Sequence, residues 1–124
     1  MRVLLDTHLL LWALGAPLKL NAETRKIVDT SEVYVSAATL WEISIKVALG
    51  KLKADVNEVL AAVPTAGLRL LPITGEHAAR VVRLPPHHED PFDRMLVAQA
   101  VTEPMILLTN DKALAPYGDL VQLV

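Results

Sequence analysis

The chain has no cysteine, which excludes disulfides and thiolate metal sites, fits a reducing compartment, and leaves oxygen and histidine as the only ligands for any metal. Aromatic residues make up only 4%. Trp12 and Trp41 fall on apolar helical stretches, a placement that suits a core or interface better than base-stacking platforms. No apolar run approaches the roughly 18 residues of a membrane span. The opening "MRVLLDTHLLLWALGA" has the outline of a signal peptide, but Asp6 and His8 interrupt its apolar stretch, so a cytoplasmic protein with no membrane partner is expected. Repeats and low-complexity tracts are absent. Positive charge is lacking too: the net charge is −2 and the pI about 6.0, whereas nucleic-acid-binding domains are usually basic.

What is present is apolar. Hydrophobic residues reach 52% of the 124 positions, and mean hydropathy is +0.37. That length predicts one domain over residues 1–124 with a full core, and the apolar excess predicts leftover surface for a partner or self-association. Along the chain, "RVLL" (2–5) predicts a short strand ending at Asp6, and "HLLLWAL" a helix stopped by Gly15 and Pro17. Asn21 caps a predicted helix from Ala22 to about Thr30, and "VYVS" predicts a strand ending at Ser36. "AATLWEISIKVALG" predicts a helix with Leu40, Ile43 and Val47 at core spacing, Glu42 in the same turn and Gly50 as its stop. Asp55 with Glu58 predicts a capping-box start to a helix ending near Gly67, and "LRLLPIT" a third strand. Thr74 opens a helix to about Leu84, and Pro85 and Pro86 impose an extended loop. Asp90 is a favoured N-cap, Pro91 suits the first helical position, and Asp93 at the third can return a hydrogen bond to the cap's N–H. That helix ends at Glu103, "MILLT" follows as a strand ending at Asn110 and Asp111, and "LVQLV" is the last strand.

Strands separated by helical crossovers imply a parallel α/β sheet covered on both faces. Ligands of such sheets sit outside the carboxyl ends of the strands, where strand order reverses. With the order 3-2-1-4-5 that point lies between strands 1 and 4, which end at Asp6 and Asp111. Asp93 begins the helix leading into strand 4 and Glu42 lies one turn into the helix after strand 2, so both can lean over the same crevice. Each acid also has a plain structural use: Asp6 and Asp111 as caps, Glu42 as a solvated helix residue. Together they repel unless a cation or shared protons neutralise them. An all-oxygen set suits Mg²⁺ or Mn²⁺, which activates water and stabilises the charge of a phosphoryl transition state.

"LLDTH" with Asp6, "SAATLWEISIKVALGKL" with Glu42, "HHEDPFDRMLVAQA" with Asp93 and "LLTNDKAL" with Asp111 together resemble the PIN-domain ribonucleases, specifically the VapC toxins of toxin–antitoxin pairs. "DPFDR" and "WEISIK" are the most specific pieces. The resemblance implies a three-layer α/β/α fold with strand order 3-2-1-4-5 and Mg²⁺- or Mn²⁺-dependent endonucleolytic cleavage of RNA. It also implies a homodimer and inhibition by a cognate antitoxin protein. The family's catalytic and metal-binding acids fall on Asp6, Glu42, Asp93 and Asp111, with Thr109 as the hydroxyl beside the last, Thr7 as an auxiliary and Asp90 as cap first and auxiliary second. His87 and His88 are expected in a solvated loop. Removing the four acids leaves 10 Asp and Glu against 12 Lys and Arg, so the remainder is slightly basic. Among the cations, Arg94, beside Asp93, and Lys46 are the candidates for RNA or antitoxin contact.

Two other readings of the pattern are weaker. A receiver domain needs paired acids after strand 1, an Asp ending strand 3 and a Lys ending the last strand, all missing here, and Asp6-Thr7-His8 lacks the second Asp of a DxD phosphatase. A partner-binding subunit of PIN fold with weak or cryptic nuclease activity is the alternative that the residues leave open.

Overall fold

The computed structural model describes residues 1–124. Its elements run β1 (Arg2–Leu5), α1 (Thr7–Gly15), α2 (Ala22–Thr30), β2 (Glu32–Ser36), α3 (Ala37–Ala48), α4 (Val56–Thr65), β3 (Arg69–Leu71), α5 (Gly75–Arg80), α6 (Pro91–Thr102), β4 (Ile106–Thr109) and β5 (Val121–Leu123), with short 3-10 turns after α1, α5 and β4. All strand pairs are parallel, in the order β3-β2-β1-β4-β5. β1 is therefore central, with Val3 opposite both Val33 and Ile106.

Period-two alternation along β1 divides the interior. Val3 and Leu5 point to one face, where they pack with Leu9 and Leu10 of α1, Ile43 of α3 and Val63 of α4. Leu4 points to the other and meets Leu96, Val97 and Ala100 of α6 with Leu107 and Leu114. Helices on both faces complete an α/β/α sandwich, the layering expected when the central strands β1 and β4 are apolar on both sides. No helix is long and apolar enough to cross a membrane.

Most local signals act where the sequence places them. Asn21 Oδ1 accepts from the Thr24 N–H, and Gly50 takes the left-handed φ of 72° that stops the chain after α3. Three differ. Asp55 caps α4 through the Asn57 and Glu58 amides, but the return bond of a capping box is not made there. The reciprocal box forms instead at Thr74, whose partner is the His77 side chain. The helix opened by Thr74 ends at Arg80 and tightens to a 3-10 turn at Val81–Arg83, because the Pro85–Pro86 pair holds the chain beyond it extended.

Candidate active site

Asp6 stands at the reversal of strand order, its amide donating to the Leu108 carbonyl at 3.1 Å so that it continues the β1–β4 ladder. The carboxylate has two tasks. Oδ1 caps α1 by accepting from the Leu9 N–H at 2.9 Å, and Oδ2 accepts from the Thr109 hydroxyl at 2.5 Å. Thr109 Oγ1 in turn accepts from the Asp111 N–H at 3.0 Å. One buried hydroxyl thus ties together acids that end neighbouring strands. Burial raises the pKa of Asp6, and the Thr109 and Leu9 hydrogen bonds only partly oppose it.

Glu42 is 7% exposed, which rules out the solvated-helix use considered above. Its Oε1 accepts from the Thr7 hydroxyl at 2.7 Å and its Oε2 from Lys46 Nζ at 2.6 Å. Lys46 lies one turn along α3. Its pKa is raised, first by the Glu42 hydrogen bond and further by the charges of Glu42, Asp90 and Asp93, so the ammonium is the one fixed cation in an acidic setting.

Asp93 comes in from α6. Its amide donates to the Asp90 cap at 2.9 Å, but its carboxylate does not turn back to the cap; Oδ2 meets His88 Nε2 at 3.0 Å. Burial, then the neighbouring charge of Asp90, pushes its pKa up to about 6, with Glu42 adding and His88 opposing. His88 Nε2 is also 3.7 Å from Asp111 Oδ2. Asp111 Oδ1 caps the following turn through the Ala113 N–H at 2.9 Å.

Asp6, Thr7, Glu42, Lys46, Asp90, Asp93 and Asp111 line, with His8, a polar pocket of about 100 Å³ that no hydrophobic side chain enters. Thr109 lies behind Asp6. Burial alone raises the Asp6 pKa, and burial with the nearby charges of Asp90 and Glu42 raises that of Asp93, a desolvation and crowding that a bound cation relieves. The donor set is carboxylate oxygen, which fits a hard divalent ion.

The chain matches the PIN-domain family model over residues 3–120. It belongs to the PIN-domain family. Among solved structures this PIN domain is similar to a chain of VapBC2 from Rickettsia felis bound to a promoter DNA fragment, with TM-score 0.72, 15% identity and coverage of 100% of this chain and 98% of that one. It is similar also to a chain of FitAcB from Neisseria gonorrhoeae (TM-score 0.68, 24% identity, 98% and 96% covered). A third is in VapBC-5 from Mycobacterium tuberculosis (TM-score 0.60, 21% identity, 99% and 97% covered). At these identities the likeness is one of fold. No curated protein matches the sequence of this PIN domain.

Some placements differ from the sequence expectation. Arg94 is not turned to the pocket: its guanidinium donates to the Val81, Pro85 and His88 carbonyls and to the Tyr117 hydroxyl, and a phosphate would have to displace these. His88, expected in solvent, is half-buried between Asp93 and Asp111, whereas His87 is exposed and packs edge-on against Tyr117. The only local hint for His88 is its position two residues before the Asp90 cap, from which a chain folding back meets the first turn of its own helix. Trp41 is 59% exposed and rests edge-on against Phe92 rather than in the core.

Proposed function

We propose that this PIN domain, acting as one unit over residues 1–124, is a metal-dependent endoribonuclease and the toxin of a toxin–antitoxin pair. The observation that carries the proposal is the convergence of Asp6, Glu42, Asp93 and Asp111, from four separate segments, on one polar pocket. Members of the family are generally nucleases, and the similar folds named above occur in VapBC2, FitAcB and VapBC-5.

In this reading the four acids hold Mg²⁺ or Mn²⁺, with Asp90 as an auxiliary. Such a cation would supply an activated water and would offset the negative charge that phosphodiester hydrolysis develops on the phosphate and the leaving oxygen. The chain's own residues prepare the oxygens. Thr109 orients Asp6, and Thr7 and Lys46 hold the two oxygens of Glu42. Lys46, partly exposed at the pocket rim, is placed to meet the incoming phosphate. Partner surface lies nearby: an apolar groove of about 420 Å³ runs between α1 and α4, lined by Leu11, Leu14, Leu52, Val59 and Ala62, and suits an amphipathic antitoxin helix. A cytoplasmic homodimer completes the proposal.

The test is cleavage of defined RNAs by purified protein with Mg²⁺ or Mn²⁺ and with EDTA. Cleavage is expected to require the ion and to be lost in Asp6→Asn, Glu42→Gln and Asp93→Asn, with Asp111→Asn milder or equal. Undiminished cleavage in EDTA, or by these variants, overturns the proposal.

A further inference from the structure

The imidazole of His88 lies against Asp93 and Asp111, two of the acids that line the pocket, without a part in the reaction proposed above. Its surroundings specify its hydrogen-bonding state. Nδ1 accepts from the Glu89 N–H at 3.1 Å, so Nδ1 carries no proton, and a neutral ring must carry its proton on Nε2. That N–H faces Asp93 Oδ2 at 3.0 Å and Asp111 Oδ2 at 3.7 Å. A ring protonated at Nε2 cannot give that nitrogen to a metal. Although His88, Asp93 and Asp111 offer ligand atoms within 4.8 Å of one another, the geometry makes His88 a donor to a ligand rather than a ligand.

The residue is itself held on both sides of its backbone. Its N–H donates to the Tyr117 hydroxyl at 3.1 Å, and its carbonyl accepts from Arg94 at 3.4 Å. Arg94 also donates to the Tyr117 hydroxyl, at 3.2 Å. Tyr117 closes the turn that Asp111 opens. Arg94 follows Asp93 on α6. The clasp therefore joins the two chain segments that supply Asp93 and Asp111.

We propose that His88 is a positioning residue that donates from Nε2 to Asp93 and, through its clasp with Arg94 and Tyr117, sets Asp93 and Asp111 at the separation a shared divalent cation requires. The inference rests on the assignment of these acids as cation ligands. A hydrogen bond to one carboxylate oxygen fixes the rotation of the group and leaves the other oxygen directed at the ion, the outer-shell role that typically changes metal affinity by about 10–100-fold.

The experiment combines titration calorimetry with Mn²⁺, Mg²⁺ and Zn²⁺ and RNA cleavage on wild type, His88→Ala, His88→Gln and Tyr117→Phe, thermal melts in EDTA, and ¹⁵N–¹H spectra of the histidine rings without metal. His88→Ala is expected to bind Mn²⁺ about tenfold more weakly, at the low end of that range, while remaining folded in EDTA. Gln presents an amide N–H near the place of Nε2 and should recover most of the loss. Tyr117→Phe should lose less than His88→Ala. Unchanged Mn²⁺ affinity in His88→Ala, or no recovery in His88→Gln, overturns the proposal. A fall in Zn²⁺ affinity much larger than in Mg²⁺ affinity would make His88 a direct ligand and overturn it too. The ring spectrum separates the two levels of inference: an Nδ1-protonated His88 defeats this proposal even if metal binds, whereas a wild type that binds no Mn²⁺ defeats the metal-site reading and this proposal with it.

Discussion

Asp90 and Asp93 lie three residues apart on one helical turn and have opposite energetic effects. Asp90 accepts from an amide that would otherwise lack a partner, so Asp90→Ala should cost about 0.5–2 kcal/mol in EDTA. Asp93 is crowded by Asp90 and Glu42 and partly dry. With a folded pKa of about 6 against the ordinary aspartate value of 3.8, the folded state binds more protons than the unfolded one between those values. Its contribution to stability therefore falls as pH rises through that window and is level above it. Asn has no such dependence. In EDTA, Asp93→Asn should gain on wild type between pH 4 and pH 7, as followed by thermal melts, and then lose part of the Mn²⁺ stabilisation that wild type shows. A wild-type-minus-variant difference identical at both pH values would contradict this. Thr109 is a second residue-scale test. Thr109→Val keeps its shape but strands Asp6 Oδ2 and the Asp111 N–H, and should destabilise by about 1–3 kcal/mol in denaturant unfolding while weakening cleavage.

Helix α6 is the element that organises this half of the molecule. Its first turn carries Asp93, its next donor, Arg94, gathers the carbonyls of the 81–88 segment, and its far end meets α5 through Glu103 and His77 at 2.6 Å. Arg2 also reaches the Glu103 carbonyl. The segment from Val81 to Glu89 is anchored in the core through Leu84, while Val82 is 85% exposed, and Arg94 supplies most of its polar ties. Arg94→Met should admit protease cleavage within residues 81–89 that wild type resists, with the rest of the chain intact. Identical digestion patterns would show that the clasp is dispensable. The capping signals of α6 were legible locally because a cap bonds to residues two or three positions away. Arg94 was not, since its acceptors are set by how the proline loop returns across the helix.

At the scale of the whole molecule, the sheet buries Val3, Leu4 and Leu5 completely, yet large side chains remain outside: Leu18 is 89% exposed, Leu49 63% and Trp41 59%. The homodimer proposed above would cover part of this exposed apolar surface. Light scattering at micromolar concentration should give twice the 13.5 kDa chain mass. A monomer would count against the dimer. Val59→Asp in the α1–α4 groove should weaken antitoxin capture in a pull-down while leaving RNA cleavage intact, because the groove and the acidic pocket share no lining residue.

The sequence by itself determined the element types and most of their caps, because those depend on periodicity and on hydrogen bonds between near neighbours, and its family resemblance pointed to the four acids. It carried the family pattern too, from "LLDTH" to "LLTNDKAL". Only the tertiary structure decided which surroundings each acid has. Asp6 and Thr109 are 103 positions apart and meet because β1 and β4 pair in parallel. Lys46 and Glu42 share one helix, but it is burial of Glu42 against Thr7 that makes their ion pair part of the pocket. His88 illustrates the limit most sharply: its partners Asp93, Tyr117 and Asp111 lie on two segments, and only its spacing from the Asp90 cap distinguishes it locally from the exposed His87 beside it. Side-chain environment is a property of packed segments, and packing brings together residues that the linear order separates.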